Sequence, residues 1–224
     1  MIYLYTGTPG SGKSYHAAQA IDKALRRGMP VISNFEVNLN PKKHKGKFVY
    51  IPTKDLRIDF MMEFARLNFS ERKGESQGLI IIDEAQVPFN RRKPLFKNII
   101  QWVDFMSIHR HYFYDIVLIT QKHKSLDDQI LGLVETEYKH RKLKNFGWKG
   151  YLMMFLFHKS FVAVEYWFPI QEKVGQTFFN CSKRIREFYN TFKKFDDNED
   201  VAAAKEALNK KIAEFNAKKA GGTS

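Results

Sequence analysis

Residues 7–14 read G-T-P-G-S-G-K-S, which matches the pattern G-x-x-x-x-G-K-S directly after the apolar run I-Y-L-Y at residues 2–5. A strand that leads into a glycine-rich loop and then into a helix forms a backbone cradle for the phosphates of a nucleotide. The helix that follows adds its free N–H groups and the positive end of its dipole. A chance match is the alternative, but the strand before the loop and the helix after it argue against one.

The loop assigns roles to individual residues. We expect Lys13 to reach the β- and γ-phosphates and the Ser14 hydroxyl to ligate Mg²⁺, so the predicted cofactors are ATP and Mg²⁺. The predicted cofactor-binding residues are Gly7, Thr8, Pro9, Gly10, Ser11, Gly12, Lys13, Ser14 and Tyr15.

A second acidic element is needed beside such a loop, and Asp83-Glu84 follows the apolar run 79–82. Because strand ends meet at the ligand-binding edge of an open α/β sheet, Asp83 is predicted to hold Mg²⁺ with Ser14. Glu84 is predicted to orient and deprotonate the attacking water. This pairing favours a hydrolytic motor ATPase, and the alternative is a pair of acidic residues that caps a turn.

Gln121 ends the apolar segment 116–119 and is predicted to contact the γ-phosphate or the water and to report hydrolysis. The alternative is a glutamine that merely ends a strand. Residues 120–123 lack the Asp of a guanine-reading N/T-K-x-D pattern, so adenine is the expected base. Many such ATPases receive an arginine from a neighbouring subunit, worth about 10³–10⁵ in rate. Arg110 is the first candidate, with Arg91 and Arg92 as alternatives.

The composition limits the class of protein. Of 224 residues 44% are hydrophobic, which excludes global disorder and allows one sizeable α/β domain. The net charge of +13 favours an anionic partner, either nucleic acid or an acidic membrane, although a generally basic surface is the alternative. A single cysteine excludes an intrachain disulfide and fits a reducing compartment. The best apolar run, 151–157, is too short to span a membrane, so this fragment is expected to be soluble.

The pattern predicts an α/β fold: a P-loop NTPase with a mainly parallel central sheet flanked by helices, a C-terminal antiparallel strand addition and a terminal helix. The expected strands of the core are 1–5, 31–34, 48–51, 79–82 and 116–119, and its expected helices are 13–27, 53–68 capped by Thr53, 94–110 and 125–134 capped by Ser125. The expected later elements are antiparallel strands 138–144, 151–157 and 161–168 within an addition at 138–168, and helices 183–192 and 201–219. The predicted domains are an ATPase domain at 1–192 and an amphipathic helix with a tail at 193–224.

The order of these motifs, with His109-Arg110-His111 before Leu118-Ile119-Thr120-Gln121, resembles the zonular occludens toxin (Zot) family. This family includes the assembly ATPases of filamentous phages, and the chain also resembles the wider FtsK/HerA group of DNA-pumping P-loop ATPases. The resemblance spans roughly residues 1–190. It implies an ATPase at the cytoplasmic face of the host inner membrane that extrudes single-stranded phage DNA.

The resemblance also implies partners: a homo-oligomeric ring, expected to be a hexamer, single-stranded DNA or phage nucleoprotein, phage coat or assembly proteins, and a membrane reached through a segment absent from this chain. For DNA contact we single out the basic stretches 42–45, 91–93 and 139–149, the last with Phe146 and Trp148 interleaved. Two other functions stay open. One is a small-molecule phosphotransferase of the nucleoside-kinase type, and the other is a secreted toxin that acts on epithelial junctions.

Overall fold

An eight-stranded sheet forms the centre of the computed structural model, which describes residues 1–95, 98–157, 160–180 and 182–189. The strands are β1 (Ile2–Thr6), β2 (Val31–Ser33), β3 (Phe48–Tyr50), β4 (Gly78–Ile82), β5 (Tyr114–Ile119), β6 (Thr136–Lys142), β7 (Phe161–Trp167) and β8 (Glu172–Phe179). Their order across the sheet is β3-β2-β4-β5-β1-β6-β7-β8. The pairs from β3 to β6 are parallel, and β6–β7 and β7–β8 are antiparallel.

Helices cover both faces of the sheet. The helices are α1 (Lys13–Arg26), α2 (Ile58–Asn68), α3 (Ile99–Ser107), α4 (Asp128–Gly132), α5 (Gly147–Phe157) and α6 (Lys183–Phe188). One buried cluster joins α2, α3 and α4 to the sheet, and a second joins α1 and α6 to the opposite face. Strand β4 shows the reason, because Ile80 and Ile82 belong to the first cluster while Leu79 and Ile81 belong to the second. A strand buried on both faces reads as one continuous apolar run.

The predicted strand at 151–157 is wrong, because these residues lie in α5. The segment is rich in Leu and Met, which favour helices, and it contains none of the β-branched residues that favour strands. An uninterrupted apolar run does not by itself distinguish the two structures.

The predicted antiparallel addition at 138–168 is correct only in part. Strand β6 pairs with β7 in the antiparallel sense, but its other neighbour is β1, to which it runs parallel. Strand β6 therefore belongs to the parallel core, and the addition consists of β7 and β8. The sequence analysis missed β8, whose residues are mostly exposed and lack an apolar alternation.

Two helices begin later than predicted, and in both cases the chain first extends to bury a leucine. A 3₁₀ turn occupies Thr53–Asp55, the backbone is extended at the buried Leu56, and α2 begins only at Ile58. Likewise Leu126 is extended and fully buried, so that Asp127 and not Ser125 caps α4 by accepting a bond from the Gln129 N–H at 2.9 Å.

The predicted helix 94–110 shortens to α3. The predicted helix 201–219, and with it the domain boundary at 192/193, lies outside the described residues. Within the part of the chain that the structure describes, no helix is long and apolar enough to cross a membrane.

Candidate functional site

The glycine-rich loop joins the end of β1 to the start of α1, as the sequence predicts. Gly7 has a φ of +142°, and a β-carbon there would lie 2.4 Å from the His140 carbonyl oxygen of the neighbouring β6. Gly12 has a φ of +96° and caps α1, where a β-carbon would meet the Phe161 ring at 2.9 Å. Both positions therefore need glycine for backbone conformation and for space. The antiparallel addition thus forms the wall behind the loop.

Lys13 begins α1 and is largely buried, and its side chain curls back over the loop. The Nζ donates to the carbonyl oxygens of Gly7 at 2.7 Å and Thr8 at 3.2 Å. Burial lowers the pKa of Lys13, and the carboxylates of Asp83 and Glu84 oppose that shift. The ammonium group thus lies at the mouth of the cradle, where an anionic phosphate would replace the two weak carbonyl partners.

Ser14 and Asp83 meet as predicted, with the Ser14 hydroxyl donating to Asp83 Oδ2 at 3.2 Å. The strands that carry the two halves of the site are not neighbours, since β5 lies between β1 and β4. Asn34 fixes the Asp83 backbone: its side chain accepts from the Asp83 N–H at 2.6 Å and donates to the Asp83 carbonyl at 2.8 Å. Burial raises the pKa of Asp83. A hydroxyl and a carboxylate are ligands that suit Mg²⁺, so the residues present fit this ion.

Glu84 follows in a left-handed conformation, with a φ of +50°, which turns the chain away from the sheet directly after Asp83. Its N–H donates to Asp83 Oδ1 at 2.8 Å, and its exposed carboxylate accepts a bond from the Gln86 amide. Glu84 is therefore close to the Ser14–Asp83 pair and accessible to solvent. Its role as general base stays a prediction.

Gln121 lies at the same edge, directly after β5. Its carbonyl oxygen accepts from the Gly7 N–H at 3.4 Å, so the end of β5 is tied to the start of the loop. The side chain is exposed. The structure thus brings together Lys13, Ser14, Asp83, Glu84 and Gln121, all at the carboxyl ends of β1, β4 and β5.

Arg110 does not join this group within one chain. It lies in a 3₁₀ turn before β5, at the opposite edge of the sheet, where it forms a salt bridge of 2.8 Å with Glu135. The prediction that it acts on a neighbouring subunit's site therefore stays a prediction. Arg91 and Arg92 follow Asp83 and Glu84, and Arg91 pairs with Asp128 at 2.9 Å.

Tyr15 has a different environment from the rest of the loop. Its ring is buried and stacks on Phe179, while its hydroxyl accepts from the Ser182 N–H at 2.7 Å. Only its backbone N–H, in the first turn of α1, is left as a candidate for phosphate contact.

Three residues near the site were not predicted. Lys142 places its Nζ 3.0 Å from the position of a β-carbon on Gly10, above the loop. The Tyr189 hydroxyl contacts Ser14 by a side-chain hydrogen bond, and burial raises the pKa of this tyrosine. Glu137 is fully buried beside Thr6. An acidic residue among strand residues was a usable signal for Glu137, whereas the sequence held none for the other two.

Comparison with known proteins identifies relatives of this arrangement. The family model of zonular occludens toxin (Zot) matches residues 1–190. The N-terminal domain of zonular occludens toxin from Neisseria meningitidis aligns with a TM-score of 0.52 at 19% identity, over 84% of this chain and 98% of that one. The genome-packaging NTPase B204 of Sulfolobus turreted icosahedral virus 2, solved with AMPPCP, aligns with a TM-score of 0.51 at 16% identity, over 81% and 98%.

A third solved structure, the ATPase domain of another protein, aligns with a TM-score of 0.50 at 9% identity, over 81% of this chain and 84% of that one. Comparison with curated protein sequences finds no significant match. At these identities the structural likenesses establish the fold, and they confirm the predicted P-loop NTPase class.

Proposed function

The chain belongs to the zonular occludens toxin (Zot) family, and from this membership we propose that it is an ATP-hydrolysing motor of phage assembly. The observation that carries the proposal is the 3.2 Å contact between Ser14 and Asp83, with the Lys13 ammonium group beside it. A phosphate cradle alone would serve binding only. The acidic residues placed against it supply what hydrolysis needs.

Each residue has one task in this proposal. Mg²⁺ and ATP, when bound, supply the charge neutralisation and the bond to be broken. Lys13 would bind the β- and γ-phosphates, and Ser14 with Asp83 would hold the ion. Glu84 would accept the proton of the attacking water at its carboxylate. Gln121, whose carbonyl is tied to the Gly7 N–H, would pass the state of the phosphate site to the end of β5.

The motor is proposed to move single-stranded DNA or phage nucleoprotein. A groove of about 250 Å³ on the antiparallel side of the sheet supports this cargo. Its lining combines cations with aromatic rings, and Lys139 Nζ lies 4.1 Å from the centre of the Tyr166 ring. Bases stack on such rings while cations follow the backbone. The residues that supply these groups are Lys139, Arg141, Phe146, Tyr166 and Phe178.

We further propose the setting that the family implies: a homo-oligomeric ring, expected to be a hexamer, in which Arg110 of one subunit completes the site of the next. The ring would work with phage coat or assembly proteins at the cytoplasmic face of the host inner membrane, reached through a segment outside this chain. The relation of B204 to genome packaging, as its description states, supports a role in moving viral DNA.

The test is ATP turnover per subunit, measured as protein concentration rises and as single-stranded DNA is added. A motor ring should show turnover that increases with both, and double-stranded DNA of equal length serves as the control. Turnover independent of both would overturn the motor. Transfer of phosphate to an added nucleoside, with no hydrolysis to water, would favour a phosphotransferase instead.

A further inference from the structure

Helix α5 carries an apolar stripe on its solvent side, which reverses the usual arrangement of a surface helix. The five residues of the stripe recur at intervals of three and four, so they share one face of the helix. Their exposed fractions are large: Trp148 72%, Tyr151 61%, Leu152 48%, Phe155 76% and Leu156 60%.

The orientation of α5 is set by packing on the other side of the helix. Gly150 is buried, and a β-carbon there would lie 1.9 Å from the Leu143 carbonyl oxygen. The backbone of α5 therefore rests directly on the 3₁₀ turn Leu143–Phe146, where Leu143 is itself buried. Because Gly150 must face inward, the apolar stripe must face outward.

The surroundings of the stripe are basic. Residues 138–164 contain six lysines and arginines and no aspartate or glutamate. Of these, Arg141 and Lys144 are exposed just before α5 begins. An apolar face beside a run of positive charge complements an anionic, partly apolar surface.

The length and composition of the stripe select the partner. Eleven residues of helix span ~16 Å, about half of the ~30 Å needed to cross a bilayer. A nucleic-acid groove would interleave cations with rings, as the groove beside Lys139 does, whereas the stripe is apolar along its whole length. Trp and Tyr with Leu and Phe are the residues that enter the headgroup layer of a membrane.

We propose that α5 is an interfacial membrane anchor, lying flat with its stripe inserted among the headgroups of an anionic lipid bilayer. This anchor is independent of the nucleotide site and of any membrane-spanning segment. It would hold the domain against the lipid surface through the residues present in this chain.

The test is sedimentation of the full chain with vesicles of phosphatidylcholine alone or mixed with phosphatidylglycerol. We expect binding to the mixed vesicles that weakens with salt, and a loss of about tenfold or more in the double variant Leu152→Gln/Leu156→Gln. A matched control is Leu67→Gln/Ile100→Gln, which changes two helix residues that are 74% and 64% exposed elsewhere on the surface. The Lys144→Gln variant should weaken binding to the mixed vesicles only.

Several results would overturn the anchor. These are no vesicle binding by the unchanged chain, equal loss in the control variant, or undiminished binding in the α5 variant. A loss of single-stranded DNA binding or of self-association in the α5 variant, with vesicle binding intact, would assign the stripe to those partners. ATP turnover of the α5 variant without vesicles should be unchanged, so failure of the anchor and failure of the proposed function give separate readouts. Far-ultraviolet circular dichroism verifies that the variants are folded.

Discussion

The carboxylate of Glu137 accepts a hydrogen bond from the Thr6 hydroxyl at 2.6 Å, immediately before the phosphate loop. Glu137 is fully buried on β6, and its other ionic neighbours are Lys139 at 3.4 Å and His123 at 3.7 Å. The contact links β6 to the last residue of β1. A buried carboxylate at this point holds the strand end from which the loop departs.

We expect Glu137→Gln to lower the free energy of unfolding by about 1–3 kcal/mol, because the buried site loses a charge-assisted bond. The midpoint of urea unfolding measures this change. Glu172→Gln, at an exposed glutamate on β8, is the control and should shift the midpoint little. A Glu137→Gln protein as stable as the unchanged chain would show that the Thr6 contact contributes nothing.

Asn34→Ala should reduce the apparent affinity for Mg²⁺ in ATP turnover by about 10–100-fold, because Asn34 holds the backbone of Asp83 through two hydrogen bonds. Mg²⁺ titrations of turnover at saturating ATP measure the effect. Asn38→Ala removes an asparagine whose amide instead donates to the Glu187 carbonyl at 2.6 Å, and it should leave the Mg²⁺ dependence unchanged. Equal effects in both variants would contradict the positioning role of Asn34.

Glu84→Gln should keep ATP binding and lower kcat by about 10²–10⁴-fold, because the amide cannot accept the proton of water. Lys13→Ala should instead abolish binding, since it removes the ammonium group beside the phosphates. Fluorescent-nucleotide titration and phosphate release separate the two effects. Lys23→Ala, on the exposed side of α1, is the control for a lost charge. Normal hydrolysis by Glu84→Gln would remove that residue from the mechanism.

The neutral pair His16 and His140 should make the fold sensitive to mild acid. His16 Nδ1 lies 2.9 Å from His140 Nε2, and His140 Nδ1 lies 2.9 Å from the Tyr138 carbonyl oxygen and 3.2 Å from that of Thr6. The carbonyls require a proton on His140 Nδ1, so His16 donates to His140 Nε2. Burial lowers the pKa of His16 to about 4, and burial with the neighbouring His16 lowers that of His140 to about 3.

Both values lie below the ~6.5 of an unfolded histidine, so the unfolded chain takes up these protons first. The free energy of unfolding should therefore be unaffected by this pair above pH ~6.5 and fall by about 1.4 kcal/mol per pH unit per histidine between pH ~6.5 and ~4. Urea unfolding at a series of pH values measures the slope. His140→Gln should flatten the slope by about one proton, and His111→Gln, at an exposed histidine, should not.

Arg110 should act between subunits, because it lies at the sheet edge opposite its own phosphate loop. We expect Arg110→Ala to lower turnover by about 10³-fold or more while ATP binding is kept. Mixing Arg110→Ala subunits with Glu84→Gln subunits should restore part of the activity, since one subunit of a mixed pair then has a complete site. Arg92→Ala is the comparison, and restoration by Arg92→Ala but not by Arg110→Ala would transfer the role to Arg92.

The site was predictable where it depended on local sequence. The spacing from Gly7 to Ser14 requires one loop geometry, and Asp83 follows a strand whose burial is visible as an apolar run. Its partners were not predictable, because they depend on which strands become neighbours. Lys142 reaches Gly10 only because β6 pairs with β1, and Tyr189 reaches Ser14 only because α6 packs beside α1.

The fold followed the same division. Strands buried on both faces were found, whereas the exposed β8 was missed because exposed residues carry no burial pattern. The error at 151–157 has a related cause. An apolar run predicts burial, but α5 exposes its apolar face, so the run indicated an environment that the helix does not have.

Gly12 leaves no clearance to the Phe161 ring, and Phe161 in turn stacks on Phe179 with ring centres 5.5 Å apart. The phosphate loop therefore shares a wall with β7 and β8, the strands that also line the groove beside Lys139. A change in loop shape cannot be absorbed locally, because close-packed rings transmit displacement. The two aromatic side chains thus form a short mechanical linkage, and the strands that β6 adds to the core are the output arm of the nucleotide site.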